Sequence, residues 1–354
     1  MRSWSVIVVA VLIVVGLTGD AAIASSPQPV ASTATHSTHS TPAVVTTTTV
    51  ALERPQTNWQ VATSSARGVM VDYRMIDVAG VMFRAIRLRA RTTLLRWHVG
   101  SSDPPVRAGA VPADAGPSIN WANEGLAGVV AVFNGGFKVG AHAGGSMVDG
   151  VVLSPMVRGD MTLAIDAAGH WKMGEWGPGF PGPAFHAIAY RQNLGPLVAD
   201  SRPTAAALSA NELIWGDPLH GNPQQARSAL GIDVRGNLVY VATLSGVSPA
   251  LLATALLAAG AVEGMELDIN PYWPIVGASF SVLHRPGGYP VQIPYSEHNP
   301  TIYNTGWERD FFVALAEPNS WRCSWTSPGL SRARTGVQPQ PLREVCRAPG
   351  AARA

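Results

Sequence analysis

The chain has 354 residues, of which 47% are hydrophobic and 14% charged, so it can bury an extensive core and is not a disordered protein as a whole. Its formal net charge is only +2, and no basic run is interleaved with aromatic residues, which argues against a nucleic-acid partner. The length allows one large domain or two small ones. It does not predict an oligomeric state.

The first residues have the pattern of an export signal. A basic residue precedes an apolar run over 4–17, and small residues at 22–24 provide the site that a signal peptidase needs. This predicts cleavage near Ala24 and a secreted or cell-envelope protein. The run hardly spans the roughly 30 Å of a bilayer core, so a retained anchor is the less favoured alternative and no integral membrane span is expected after cleavage. Residues 25–57, rich in Ser, Thr and Pro, predict a disordered linker.

The residues from 58 to 317 predict a single main domain, which opens with several strands. The β-rich runs at 68–73, 81–87 and 94–99 predict these opening strands. A loop rich in Pro and Gly then extends over 101–117.

A buried strand is predicted to deliver Asn134 to a surface. The apolar run Val129–Phe133 stops at this polar residue, and Gly135 and Gly136 follow it. Paired glycines let a ligand approach the main chain, and their N–H groups can point into one concavity that suits an anion. The alternative is an ordinary strand-to-loop turn.

The segment 237–268 predicts strand, helix and strand. Ser248 and Pro249 are typical of a helix N-terminus, and Gly260 of a helix end. Such a segment implies a right-handed crossover between parallel strands, with Asp268 at the carboxyl end of the second one. We therefore predict an α+β fold with mixed β-sheets and a few packed helices.

The chain contains two cysteines, Cys323 and Cys346, both within the Pro- and Arg-rich tail 318–354. In an exported protein, a lone pair of this kind is most simply a disulfide that pins an irregular tail.

Several short motifs follow one another along the chain: Asn134-Gly-Gly-Phe137, Gly145 with Asp149-Gly150, Arg227-Ser-Ala-Leu-Gly-Ile-Asp233, Glu266-Leu-Asp268 and Glu308-Arg309. Their order resembles the phosphodiester glycosidase family over roughly residues 127–314. After its Asp, the family usually continues into a glycine-rich run, whereas this chain continues with Ile269, Asn270, Pro271, Tyr272 and Trp273.

The resemblance implies roles for these residues in cleaving a sugar from a phosphodiester. Asp268 would be the nucleophile or the base for a water, with Asp149 or Glu266 as the second carboxylate. Arg227 would clamp the phosphate, because its planar fork matches two phosphate oxygens. Asn134 would bind a sugar hydroxyl or a phosphate oxygen. Strict alternation along the strand would place Glu266 on the same face as Asp268, one step lower.

Further candidates complete the predicted site. No metal or other cofactor is expected, although the oxygen ligands of Asp149, Asp268 and Asn270 would suit Ca²⁺ or Mg²⁺. Aromatic residues near the site could stack on sugars or pack in the core. The candidate substrate contacts, besides Asn134 and Arg227, are Gly135, Gly136, His142, Asn270, Trp273, Glu308 and Arg309.

The sequence thus predicts an exported hydrolase that cleaves a glycosyl phosphodiester or a related cell-envelope glycoconjugate. One alternative is a surface carbohydrate-binding or scaffold protein that kept the fold without catalysis. Another is an enzyme that hydrolyses a different bond with the same carboxylates, in which Arg227 would matter little.

Overall fold

A computed structural model describes residues 57–105, 111, 113–141, 143–218 and 221–317, together with the backbone of two short strands farther along the chain. The predicted signal peptide, nearly all of the predicted linker and His142 lie outside the described residues. So do the side chains of Cys323 and Cys346, whose α-carbons are opposite each other in an antiparallel ladder. The disulfide stays a prediction.

The described part is built mainly of strands. Its two α-helices are α1 (Glu124–Ala127) and α2 (Pro249–Ala258). Short 3-10 helices cover Ala113–Ala115, Val139–Ala141, Glu212–Trp215 and Pro300–Asn304. In chain order the strands are β1 (Gln60–Ser65), β2 (Gly68–Val78), β3 (Val81–Leu88), β4 (Thr93–His98), β5 (Val129–Asn134), β6 (Ser146–Val148), β7 (Val151–Ser154), β8 (Met161–Asp166), β9 (Trp171–Glu175), β10 (Ala187–Gln192), β11 (Val198–Ala199), β12 (Arg202–Pro203), β13 (Gln225–Asp233), β14 (Leu238–Val247), β15 (Ala261–Ile269), β16 (Val276–Leu283), β17 (Val291–Gln292), β18 (Phe311–Ala316), β19 (Arg322–Ser324) and β20 (Val345–Arg347).

The predicted α+β fold with mixed sheets is wrong, because every strand pairing in the described residues is antiparallel and the fold is β-rich. An eight-stranded sheet has the order β1-β2-β3-β14-β13-β15-β11-β12. Two five-stranded sheets have the orders β7-β6-β10-β8-β9 and β17-β16-β5-β18-β4. Short connections such as those of β2–β3, β8–β9 and β13–β14 form hairpins, which can join only antiparallel neighbours.

The strand–helix–strand segment around α2 has a topology that the sequence does not reveal. β14 and β15 run in the same direction, but β13 lies between them and pairs antiparallel with both. The pattern of residues 237–268 carries no information about a strand inserted from an earlier part of the chain. The two strands that α2 joins are therefore parallel to each other without being paired, and each pairing that they make is antiparallel.

Helix α2 covers one face of the eight-stranded sheet. Its N-terminus is capped by Ser248, whose Oγ accepts a hydrogen bond from the Leu251 N–H at 3.2 Å. Leu256 packs against Gly231 and Gly264, where an added Cβ would collide with its Cδ2 atom. Glycines on β13 and β15 therefore allow the helix to approach the sheet closely.

The other face of the large sheet packs on the two smaller sheets. Tyr240 and Met265 of the large sheet belong to one buried cluster with Leu163 of one small sheet and Phe133 of the other. In this arrangement the end of β5 meets β13 and β15, and the candidate site lies there. No helix within the described ranges has the length and apolar character that crossing a bilayer requires.

Candidate functional site

Asn134 lies at the junction of the sheets, with 5% of its surface exposed. Its Nδ2 donates to the Gly135 carbonyl (2.8 Å) and to Ser228 Oγ (3.0 Å). Its Oδ1 accepts from the Tyr240 hydroxyl (2.7 Å) and from the Ile275 N–H (3.2 Å). Both donors and both lone pairs of the amide are thus used within the protein. The predicted contact of Asn134 with substrate would require one of these internal hydrogen bonds to break.

Ser228 connects this amide to the strand that carries Asp268. The Ser228 Oγ that accepts from Asn134 also accepts from the Asp268 N–H at 3.3 Å. In the ladder of β13 and β15, Ser228 is directly opposite Asp268. The ends of β5 and β15, far apart in sequence, therefore lie next to each other.

The Asp268 carboxyl is buried and held by two donors. Oδ1 accepts from the Ile269 N–H and Oδ2 from Arg309 Nη2, both at 2.8 Å. Loss of solvation on burial raises the pKa of Asp268 to about 7, although the positive charge of Arg309 opposes the shift. Near neutral pH this carboxyl therefore exchanges a proton readily, as catalytic acids and bases do.

Arg309 contacts the Gly136 carbonyl, the Asp268 carboxyl and the Trp273 ring. Its Nη2 donates to the Gly136 carbonyl at 2.9 Å as well as to Asp268. Its guanidinium lies 4.7 Å from the ring centroid of Trp273, and Lys138 Nζ lies 5.9 Å from the same ring. The buried Nε of Arg309 has no hydrogen-bond partner in the structure. Arg309 thus connects the Asp268 carboxyl with a half-buried indole, which Lys138 also approaches.

Arg227, predicted to clamp a phosphate, is 1% exposed and bound within the protein. Its Nη1 donates to Glu266 Oε1 at 2.5 Å. Its Nε and Nη2 donate to the carbonyls of Val247 and Pro223, both at 2.8 Å. The guanidinium of Arg227 thus forms an internal ion pair, and the predicted phosphate clamp would require these hydrogen bonds to break.

Glu266 does not share a face with Asp268, contrary to the sequence prediction. The register of β13 and β15 shifts between the pairs Ser228–Asp268 and Ala229–Glu266, so β15 contains a bulge. Residues paired across a ladder share a face and successive residues alternate, so the bulge places the two acids on opposite sides of the sheet. Glu266 pairs with Arg227 and is not a second carboxylate beside Asp268.

Burial raises the pKa of Glu266 to about 7, and Arg227 opposes the shift. Its Oε2 is buried without a hydrogen-bond partner in the structure. The pair is therefore stabilised through one carboxylate oxygen.

The remaining predicted site residues are dispersed. Asp149 is exposed in the turn between β6 and β7. It lines a cavity of about 160 Å³ together with Arg96, and the described lining of this cavity does not include Asp268. Glu308 is exposed. Asn270 has a positive φ of 85°, and its Oδ1 accepts from the Tyr272 N–H at 3.1 Å.

The oxygen ligands considered for Ca²⁺ or Mg²⁺ are not gathered. The Asp268 oxygens accept from Arg309 and Ile269, while Asp149 is on a separate turn. Within the part of the chain that is described, no group of three or more acidic, histidine or cysteine side chains is suitably placed for a metal ion.

The sequence did not predict the buried ion pair of Arg191 and Asp310. Asp310 accepts from Arg191 Nε (2.7 Å) and Trp97 Nε1 (2.9 Å), and Arg191 Nη2 donates to the Phe137 carbonyl (2.7 Å). An added Cβ at Gly135 would collide with the Asp310 carboxylate. The glycine is therefore needed for close approach to an internal acid. Asp310 directly precedes the apolar strand β18, and this position in the sequence indicates a buried acid that needs a partner.

Comparisons with known proteins find only weak structural likenesses. No protein-family model matches the chain, and a search of curated proteins finds no match. Among solved structures, a hypothetical protein from Synechocystis is similar with a TM-score of 0.42 and 11% identity over 70% of this chain and 62% of that one. The catalytic domain of zebrafish N-acetylglucosamine-1-phosphodiester α-N-acetylglucosaminidase, auto-inhibited by its pro-peptide, is similar with a TM-score of 0.42 and 13% identity over 73% of this chain and 87% of that one. At TM-scores of 0.42 these likenesses assign neither a fold family nor an activity to this chain.

Proposed function

We propose that the protein is an exported hydrolase that cleaves a glycosyl phosphodiester or a related glycoconjugate, with Asp268 as the nucleophile or as the base for a water. The observation that carries this proposal is the buried carboxyl of Asp268, whose pKa is raised to about 7, beside the Arg309 guanidinium and the Trp273 ring. A proton-exchanging carboxyl next to an aromatic surface and cations is suited to a sugar that carries a negative charge.

The proposed reaction needs a negative charge near the anomeric carbon of the sugar and positive charge near the departing phosphate. Cleavage develops positive charge at the anomeric carbon, which the ionised form of Asp268 stabilises or attacks. The departing phosphate is a good leaving group, so it needs positive charge near its oxygens more than a strong general acid. When Asp268 acts as the base, it takes a proton from the attacking water while the bond from the anomeric carbon to the phosphate oxygen breaks and the phosphate ester leaves with that electron pair. This route needs one carboxylate, so the dispersed positions of Asp149 and Glu266 do not oppose it.

Arg309 and Lys138 replace Arg227 in the proposed recognition of phosphate. Both cations lie against Trp273, and Lys138 is exposed. Arg309 Nη2 is already used by Asp268 and Gly136, so a ligand would approach the remaining edge of the guanidinium. A phosphate there would be close to the carboxyl that acts on the sugar.

Trp273 provides the proposed stacking surface for the sugar. It is half-buried, and its ring lies 6.1 Å from that of Trp307 and 6.4 Å from that of Tyr272. We expect Trp273→Ala to raise KM about tenfold and to change kcat less, because stacking is worth on the order of 1 kcal/mol beyond the burial of area. Steady-state kinetics measure both constants.

The matched control for this change is Phe280→Ala, which removes an aromatic side chain that is 57% exposed on β16. It should leave KM unchanged. Equal KM values for wild type and Trp273→Ala would remove the indole from the proposed site.

A substrate panel tests the proposed function. The purified protein is assayed on sugar-1-phosphodiesters and on simple glycosides that lack phosphate. Turnover of the diesters alone is the expected result. Turnover confined to the simple glycosides would contradict the role of phosphate and favour a different hydrolase.

One observation favours the second candidate, a carbohydrate-binding protein without catalysis. Both oxygens of Asp268 are hydrogen-bonded within the protein, and the residue is only 5% exposed. Saturable binding of the sugar phosphodiesters without turnover of any substrate in the panel would support this candidate and contradict the hydrolase.

A further inference from the structure

A cavity of about 690 Å³ opens beside the β13–β14 hairpin, and four arginines line it. We call it the arginine cavity and define it by Arg67, Arg89, Arg91 and Arg235. Its described lining contains neither Asp nor Glu. Such a concentration of like charge is unfavourable unless counter-charges or a bound anion offset it.

The arginine cavity lies away from the Asp268 site, at the opposite end of the large sheet. Asp268 is paired with Ser228 near the start of β13, whereas Ile232, near the other end of β13, pairs with Leu238 at the start of β14. Four residues of strand separate Ser228 from Ile232, a length of about 13 Å. Arg235 lies farther on, in the turn that follows β13. The cavity is thus a second location, and its properties do not depend on the proposed hydrolase.

The neighbouring carboxylates offset only part of this charge. Asp72 accepts from Arg89 Nε at 2.7 Å and also binds Arg87, while Arg67 Nη1 pairs with Glu317 at 2.7 Å. Asp233, on the hairpin itself, accepts from the N–H groups of Arg235 and Asn237 and from Asn237 Nδ2.

The exposed arginines Arg91 and Arg235 form no side-chain ion pair among the described residues. They are therefore the members of the cavity whose guanidinium groups are free to meet a ligand.

The walls of the cavity are fixed by internal hydrogen bonds. Asn237 Oδ1 accepts from the Ala90 N–H at 3.1 Å, and Thr92 Oγ1 donates to the Val69 carbonyl at 2.7 Å. The volume falls in the range of small-molecule sites, about 300–1,000 Å³. Guanidinium groups match phosphate oxygens in pairs, and several of them on a fixed wall suit several phosphates.

We propose that the arginine cavity binds a ligand with two or more phosphate groups, through Arg91 and Arg235 together with Arg67 and Arg89. Multiple phosphates occur both in soluble polyphosphate esters and on a surface of phosphate-bearing lipid headgroups. The two sources share the chemistry that the cavity recognises, and binding experiments separate them.

The test uses the purified chain at a salt concentration of about 0.1 M, where long-range attraction between exposed charges is largely screened. Calorimetric titration with inorganic tripolyphosphate is expected to show saturable binding at one site. Sedimentation with vesicles of phosphatidylcholine, with or without phosphatidic acid, examines the lipid source. Binding to either phosphate probe supports the proposal, and the probe that binds identifies the source.

The informative variant is Arg91→Glu with Arg235→Glu, and its matched control is Arg158→Glu with Arg285→Glu. All four side chains are exposed, so the two variants change net charge equally. The first is expected to weaken binding about tenfold or more, since it replaces two cations that attract phosphate with two anions that repel it. The control is expected to leave binding nearly unchanged.

Wild-type unfolding midpoints in both variants would show that the fold is retained. If the charge reversals lower the midpoint, the milder Arg91→Gln with Arg235→Gln takes their place in the comparison. Equal weakening in the cavity variant and the control, or no binding of wild type to either phosphate probe, would overturn the proposal.

Discussion

Replacing Asp268 by asparagine is expected to lower kcat about 10³-fold while substrate still binds. The change keeps the size of the side chain and an oxygen that can accept from Arg309 or from the Ile269 N–H, but it removes the group that exchanges a proton near pH 7. Loss of a positioned acid or base costs roughly 10² to 10⁴ in rate. Single-turnover kinetics on a sugar-1-phosphodiester measure the loss, and calorimetry with the same compound checks binding.

The matched control is Asp149→Asn. Asp149 is exposed in a turn at a positive φ of 46°, a conformation that asparagine tolerates, so its kcat should stay within about twofold of wild type. A reversed result, with Asp149→Asn inactive and Asp268→Asn active, would place the catalytic site in the cavity that Asp149 lines.

Replacing Arg227 by methionine is expected to destabilise the protein by about 3–5 kcal/mol, because it leaves the carboxyl of Glu266 buried without its partner. Adding Glu266→Gln should recover part of this loss, since it removes the uncompensated charge. Urea unfolding of the two single variants and the double variant measures the coupling. Arg235→Met, an exposed change on the same hairpin, should cost less than about 0.5 kcal/mol.

The pH dependence of this loss has a defined sign. A carboxyl whose pKa is raised in the folded state binds protons more strongly there than in the unfolded chain, so stability rises as pH falls through about 7. Arg227 lowers the pKa of Glu266, so its removal raises this pKa further and the variant gains more stability than wild type as the pH falls. The deficit of Arg227→Met should therefore be smaller at pH 5 than at pH 8. An unchanged stability together with a large rise in KM would instead restore Arg227 as a phosphate clamp.

The sequence located the local elements well, because their signals are local. The cap at Ser248 and the proline that follows it predict α2, and the apolar run before Asn134 predicts β5. The sequence also places Asn134 and Asp268 near the ends of β5 and β15, and the structure brings these two strand ends together. What the structure adds is that one of these side chains is fully hydrogen-bonded inside the protein.

The errors concern features that depend on long-range pairing. The bulge in β15 reverses the face of Glu266, and it is defined only by the register with β13. Likewise, the engagement of Arg227 depends on the carbonyls of Val247 and Pro223, whose positions no local pattern specifies. The position of β13 between the parallel strands β14 and β15 is also a long-range feature. It is one reason why the predicted fold class was wrong.

The most direct test of the account is a crystal structure of Asp268→Asn with a sugar-1-phosphodiester bound. The account predicts the anomeric carbon beside residue 268, the sugar ring on Trp273 and the phosphate between Arg309 and Lys138. A ligand bound elsewhere, with the site at residue 268 closed and unchanged, would contradict it.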